Sequence, residues 1–300
     1  MNRQALQSVC AVVVTYYPDV GVIDRLGLLL PQVHRLVIVD NTPAGSREFD
    51  LSGLTNAFPT TLVIENRVNK GIATALNQGL NFASGAGYEW LVTMDQDSVC
   101  HPDMVLTLLK LSKTCQTPPA IVGANYFDPQ IEGTKVPVGD GGCWPQKTVI
   151  TSGCLIDVRV ACTIGGFRDD FFIDQVDHEF CLRARAHGHT IVISRRPVMT
   201  HSVGTTGGVR LPFLGVLPNH PPVRKYYIAR NTVVTVATYW RTEPAWCVRR
   251  MVRLFLGLIE MALLEQHRVS KVKGFVCGIR DGLRKQMGPC KQTLTKDGVQ

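Results

Sequence analysis

Residues 90–98 read Trp90-Leu91-Val92-Thr93-Met94-Asp95-Gln96-Asp97-Ser98. Five mostly apolar residues run straight into two carboxylates spaced i, i+2. A short apolar run with a polar exit is the pattern of a buried strand leaving a sheet. Open α/β sheets gather their ligands beyond the carboxyl ends of their strands. Two carboxylates there can converge on one hard cation, which fills its remaining positions with water or phosphate. Taken alone, Asp-x-Asp also suits a solvated turn ahead of a helix near His101-Pro102, since turns are rich in Asp. The flanking sequence decides between the two.

Upstream, Val9 to Thr15 and Arg35 to Val39 are continuous apolar runs, as in strands covered on both faces. Thr61 to Ile64 is a third. Val22 to Leu30 and Ile72 to Ala83 have helical apolar spacing. The order predicts a parallel sheet with right-handed crossovers. Its strands end in Thr15-Tyr16, Asp40-Asn41 and the Asp95/Asp97 pair, which a parallel sheet brings to one edge. Asp40 could accept from a base or ribose there, and the helix start at Asn69-Lys70-Gly71 could face a phosphate.

Downstream, His101 to Lys113 predicts a helix and Ala120 to Ala124 a strand, followed by a loop or hairpin over Asn125 to Lys147. Val149 to Ile156 is strand-like around Ser152-Gly153. Five acids then fall within eleven residues, from Asp169 to Glu179, around Phe171-Phe172. A helix starts near Asp177, where the macrodipole favours an anion. Spacing alone would also have Asp177 and Glu179 merely capping that helix and pairing with Arg183. Thr190 to Ile193 and Val198 to His201 read as strand segments. Val203 to Pro222 predicts a long loop of the lid or binding type, and helices follow from Val223.

Ten scattered cysteines with no Cys-x-x-Cys argue against a disulfide framework or zinc site and suit a reducing compartment. Met1 to Ser8 shows no signal peptide, and no run is long and apolar enough to span a bilayer. The net charge of +8 is uneven: residues 221–300 hold 15 Lys+Arg against 5 Asp+Glu, leaving 17 against 19 in residues 1–220.

With these residues in view, the chain resembles family-two inverting glycosyltransferases, bacterial rhamnosyltransferases in particular. The likeness covers about residues 8–240. It rests on Val14-Thr15-Tyr16, Val39-Asp40-Asn41, Asn69-x-Gly71-x-Ala73-x-Ala75-x-Asn77-x-Gly79, Asp95-Gln96-Asp97, Asp177-x-Glu179-x-Cys181-Leu182-Arg183 and His201-x-x-Gly204. It implies a GT-A fold of class α/β. It divides the chain into a catalytic domain, 1–222, with a donor half at about 8–124 and an acceptor half at 125–222. A helical region, 223–285, and a flexible tail, 286–300, follow. The resemblance implies a nucleotide-sugar donor held by Thr15, Tyr16, Asp40, Asn69, Gly71, Asn77, Asp95 and Asp97. Mg²⁺ or Mn²⁺ would sit on Asp97, Asp95 and His201, and Asp177 would be the base. The family's usual Glu-Asp-x-Asp reads Val176-Asp177-His178-Glu179 here, which leaves Glu179 as the alternative base. The rhamnosyl reading, with dTDP-rhamnose as donor, comes from Met94-Asp-Gln-Asp-Ser98 and Phe172-Ile-Asp-x-Val-Asp177. No Gln-x-x-Arg-Trp is present, so one sugar is added and released. The implied setting is cell-surface polysaccharide synthesis, lipopolysaccharide included, on a glycan or lipid-linked acceptor in the cytoplasm.

A metal-dependent nucleotidyltransferase would need a Gly- and Lys/Arg-rich loop after the first strand, where this chain has Tyr16-Tyr17-Pro18-Asp19. A non-enzymatic reading takes the basic last quarter as a nucleic-acid module. Its aliphatic interleaving better fits a peripheral helix on an anionic membrane at the cytoplasmic face, or a helical cover for the sheet. No nucleic-acid partner is expected.

Overall fold

The computed structural model describes residues 3–45, 61–139, 142–202, 209–211, 215–217 and 219–291. The polar loop after Asn41 and Gly204 of the His201 motif lie wholly or partly outside them. In chain order the elements are α1 (Arg3–Leu6), β1 (Val9–Thr15), α2 (Val22–Leu29), β2 (Arg35–Asp40), β3 (Thr61–Glu65), α3 (Ile72–Gly85), β4 (Trp90–Asp95), β5 (Val99–Cys100), α4 (Met104–Thr114), β6 (Ile121–Asp128), β7 (Gly133–Thr134), β8 (Cys143–Pro145) and β9 (Cys154–Asp157). There follow α5 (Val158–Thr163), α6 (Val176–Ala186), β10 (Ile191–Thr200), β11 (Val209–Leu211), β12 (Gly215–Leu217), α7 (Pro222–Tyr239), α8 (Pro244–Leu264) and α9 (Arg268–Leu283).

One sheet runs β3-β2-β1-β4-β9-β6-β10-β5. The first four strands are mutually parallel, as the apolar runs predict. β9 enters antiparallel between β4 and β6, and β10 returns parallel to β6. Alternate residues of β1 feed two cores. Cys10 and Val12 belong to the core shared with α3 and α6, whereas Val9, Ala11 and Val13 belong to the one shared with α2 and α4. Both faces are therefore dry, which is why these strands lack polar alternation. On α3, Leu76 and Leu80 are 2% exposed, each worth roughly 1.5–3 kcal/mol of burial. Gly79 has no side chain because Val12 fills that space.

Five expectations change. The strand-like Val149 to Ile156 is a tight turn leading into the short β9. Thr190 to His201 is nearly all one long strand, bulged near Pro197. The expected loop 203–222 holds the antiparallel strands β11 and β12, and α7 begins at its last residue. Residues 286–291, expected in a loose tail, are tied down. Gly288 donates to the Asp170 carbonyl (2.8 Å), Cys290 donates to the Tyr227 hydroxyl (2.7 Å), and Met287 packs on the main core. Contrary to the cysteine spacing, Cys115 and Cys143 are joined, closing the end of α4 onto β8 across 28 residues of sequence. The other eight cysteines form no disulfide.

Candidate active site

The register puts Thr15 beside Asp40 and Val14 beside Asp95, so three strand ends form one edge. Asp40 is fully buried there. Its Oδ1 accepts from Thr15 Oγ1 (2.9 Å), Thr42 Oγ1 (2.7 Å) and the Thr42 N–H (3.3 Å). That carboxylate fixes the turn out of β2. Tyr16 stands above it, 43% exposed, edge-on to Tyr17. Gln96, between the two aspartates, exchanges a pair of hydrogen bonds with the Tyr16 backbone (2.8 and 3.0 Å). Arg25 donates to the Gln96 carbonyl (2.6 Å). The turn after β1 and the Asp-x-Asp turn are thus one unit.

Ligand atoms of Asp95, Asp97 and His201 lie within 4.8 Å of one another. A buried chain holds them: the Asp95 N–H donates to Ser152 Oγ (3.1 Å), Ser152 meets Ser98 (2.7 Å), and Ser98 meets His201 Nδ1 (2.7 Å). Burial pushes the Asp95 carboxyl up to about 7, repulsion from Asp97 and Asp177 adds to it, and Arg224 opposes it. Burial also lowers the His201 imidazole from its ordinary value, against Asp97 and Asp128. A neutral imidazole and two carboxylates that repel one another make a donor set for a divalent cation. Such an ion would relieve the repulsion that raises Asp95.

Gly71 precedes α3 with φ 84°, and a Cβ there would strike the Phe172 backbone. Asn69 Oδ1 accepts from the Gly71 N–H (2.9 Å). The expected phosphate seat at this helix start is partly taken, since the Ile72 N–H donates to the Phe172 carbonyl (2.7 Å). Asn77, expected among the donor contacts, gives both amide hydrogens to Phe167 O and Asp169 Oδ1 (2.7 Å each) and accepts from the Phe167 N–H. It staples the loop of the acidic segment to α3.

That segment is irregular. Phe172, Asp174 and Gln175 have φ of 65°, 64° and 62°, a conformation costly for residues with side chains. α7 holds it. The Asn231 amide donates to the carbonyls of Phe171, Ile173 and Asp174 (2.9, 2.8 and 2.9 Å). Arg230, fully buried, donates to the carbonyls of Asp170, Phe171 and Gly288. The segment delivers Asp177 to the first turn of α6, where its carboxylate accepts from the His178 N–H (2.8 Å). Glu179, one turn face away, is 2% exposed. Arg183 grips it through both oxygens (3.1 and 2.8 Å) and Tyr239 donates to it (3.0 Å).

A family model for glycosyl transferase family 2 matches residues 22–171, half of the chain. The chain belongs to glycosyl transferase family 2. It is 25% identical over 297 residues to the dTDP-rhamnosyl transferase RfbF of Shigella flexneri, across 92% of this chain and 96% of that one. S. aureus TarS 1-349 in complex with UDP-GlcNAc superposes with TM-score 0.61 at 11% identity, covering 92% of this chain and 80% of that one. GalNAc-T7 with UDP, GalNAc and Mn²⁺ superposes at 0.58 and 12% identity, covering 93% of this chain and 56% of that one. At such identities the likeness is one of fold, and it is the GT-A fold expected. The protein is a glycosyltransferase enzyme.

Several residues of this family 2 site escaped the sequence reading. Gln96 and Ser98 pass for turn residues, although they lie inside the quoted stretch, and Ser152 passes for a strand residue. Arg224 pairs with Asp174 (3.3 Å) from the start of α7. Arg230 and Asn231 sit in a helical run that reads as ordinary surface. Only the tertiary fold shows what they hold.

Proposed function

We propose that this family 2 enzyme transfers one rhamnose, with inversion, from dTDP-rhamnose to a hydroxyl of a glycan or lipid-linked acceptor at the cytoplasmic face of a membrane, in cell-surface polysaccharide synthesis. The convergence of Asp95, Asp97 and His201 opposite the ionisable Asp177 carries this reading, and the likeness to the Shigella enzyme supports the sugar. Tyr16 offers an exposed ring for the donor base. Asp40 and Thr15 hold the turn beneath it, with Asn69 and Gly71 setting the opposite wall. Asn77 acts through the loop it staples. Asp97, Asp95 and His201 would hold Mg²⁺ or Mn²⁺, which when bound supplies positive charge against the leaving diphosphate.

The acceptor hydroxyl is a weak nucleophile. Asp177 takes its proton as attack proceeds, from the first turn of α6. Glu179 is a poor candidate for that task, since its oxygens are occupied and out of solvent. A single displacement from the side opposite the diphosphate inverts the anomeric carbon. Donor and acceptor positioning supplies much of the remaining acceleration.

The test is a screen of nucleotide sugars for transfer or hydrolysis, with Mg²⁺ or Mn²⁺ and with chelator. Turnover of dTDP-rhamnose that chelator stops, and that Asp97→Ala lowers by roughly 10²–10³-fold, is expected. Full activity of Asp97→Ala in chelator would remove the cation assignment. Turnover of another nucleotide sugar alone would remove the rhamnosyl one.

A further inference from the structure

Helix α8 is amphipathic with an apolar side facing outward. Trp246, Cys247, Leu254 and Met261 point into the protein. The opposite face carries Val248, Val252, Phe255, Leu256, Ile259 and Leu263, all exposed and at helical spacing, with Phe255 at 63% and Leu263 at 68%. By the same spacing Arg249 and Arg253 fall on its flank, and no polar residue interrupts the stripe. α9 continues the pattern: Val269, Val276 and Leu283 are exposed seven residues apart, with exposed Lys273 and Arg280 between them on the same face. An apolar stripe of this length along α8 marks an interaction site.

The charge around it has one sign. Glu243 is held by Lys147 and Arg185, Glu265 by Lys225 and Lys271, and Asp281 by Tyr226 and Arg280. Within residues 241–285 that leaves Glu260 as the one acid outside these internal networks, against exposed Arg241, Arg249, Arg253, Arg268, Lys273 and Arg284. Among the described residues no helix is long and apolar enough to cross a membrane.

We propose that α8 docks on an anionic lipid bilayer, lying in the interface with Phe255 and Leu256 among the acyl chains and the arginines at the headgroups. A second copy of the chain fits less well, because pairing this face would bring its basic flanks together. α8 also connects the surface to the site. Its inner Trp246 packs edge-on against His178 (5.7 Å between ring centres), and Arg250 feels the charge of Asp177. Resting on the glycosyl-transfer reading, this would place the acceptor side of the cleft at the membrane, where a lipid-linked acceptor lies.

The experiment is flotation of the full chain with vesicles of phosphatidylcholine alone and of phosphatidylcholine with phosphatidylglycerol, at low and high salt. The wild type should float with the anionic vesicles, less at high salt, and little with the neutral ones. Phe255→Ser/Leu256→Ser should lower partitioning at least about tenfold with an unchanged circular dichroism spectrum and melting temperature. Arg249→Gln/Arg253→Gln should lose most of the salt-dependent part. Asp97→Ala and Asp177→Asn should float like the wild type, so failure of the catalytic reading leaves this one standing. Absence of binding at low salt, or equal binding of the serine variant, would overturn it. So would a wild-type dimer, seen by light scattering, that the serine variant converts to a monomer without any vesicle binding.

Discussion

The Asp95–Asp97 corner and the Asp177 segment bring carboxylates to the same cleft on different supports. The first stands on four parallel strands whose register puts Thr15, Asp40 and Asp95 at one edge, and serine and histidine side chains finish it. The second has no strand beneath it. Three residues with positive φ fold it back, and Arg230 and Asn231 of α7 hold its carbonyls. Backbone pairing makes the first corner local and robust. The second depends on side chains more than fifty residues away, so it can be damaged from a distance.

The strongest way to break the comparison is to exchange the two acids of α6. Asp177→Asn should lower turnover by roughly 10²–10⁴-fold, with donor affinity by calorimetry unchanged, because the first corner is untouched. Glu179→Gln should do the reverse. It keeps turnover per folded molecule but lowers stability by roughly 3–5 kcal/mol in urea, the usual result of removing one charge from a buried pair. If Glu179→Gln is stable and inactive while Asp177→Asn turns over well, the assignment of the base is wrong.

Asn231→Ala probes the support itself. The carbonyls of Ile173 and Asp174 lose the Asn231 donor while Phe171 keeps that of Arg230, at an expected loss of roughly 2–4 kcal/mol. Turnover should fall with donor affinity held, as for Asp177→Asn. A fall in donor affinity with turnover intact would show that α7 serves the first corner instead.

A smaller effect sharpens the first corner. The Asp95 carboxyl, ordinarily ionised above pH 4, keeps its proton up to about 7. A cation must displace that proton. Metal affinity should therefore rise with pH, by about tenfold per unit below 7, and level off above it. Calorimetry in two buffers of different ionisation enthalpy should count close to one proton released at pH 6 and close to none at pH 8. Release that is absent at both would show Asp95 already ionised.

Most of the first corner could be read before the fold was known, because apolar runs announce buried strands and their polar exits announce an edge. Ser152 could not, since Val149 to Ile156 looks like one strand. Its turn exists because Thr93 takes the Gly153 N–H (2.8 Å). The second corner was legible only as a list of acids. Whether Asp177 or Glu179 faces the cleft depends on Arg183 and Tyr239, and Tyr239 lies sixty residues on. A buried arginine such as Arg230 carries the same letter as a surface one, and only its partners tell them apart. The tie of Cys115 to Cys143 has no local signal for the same reason.

The Arg230 grip on Gly288 sets an order of events in synthesis. Every strand of the edge that carries Thr15, Asp40 and Asp95 is made before residue 100, and their parallel pairings join only these strands to one another. The turn bearing Asp177 is complete only when residue 288 has arrived to share the same guanidinium as Asp170 and Phe171. A growing chain can therefore pair the strands of that edge early, and it closes the turn bearing Asp177 last.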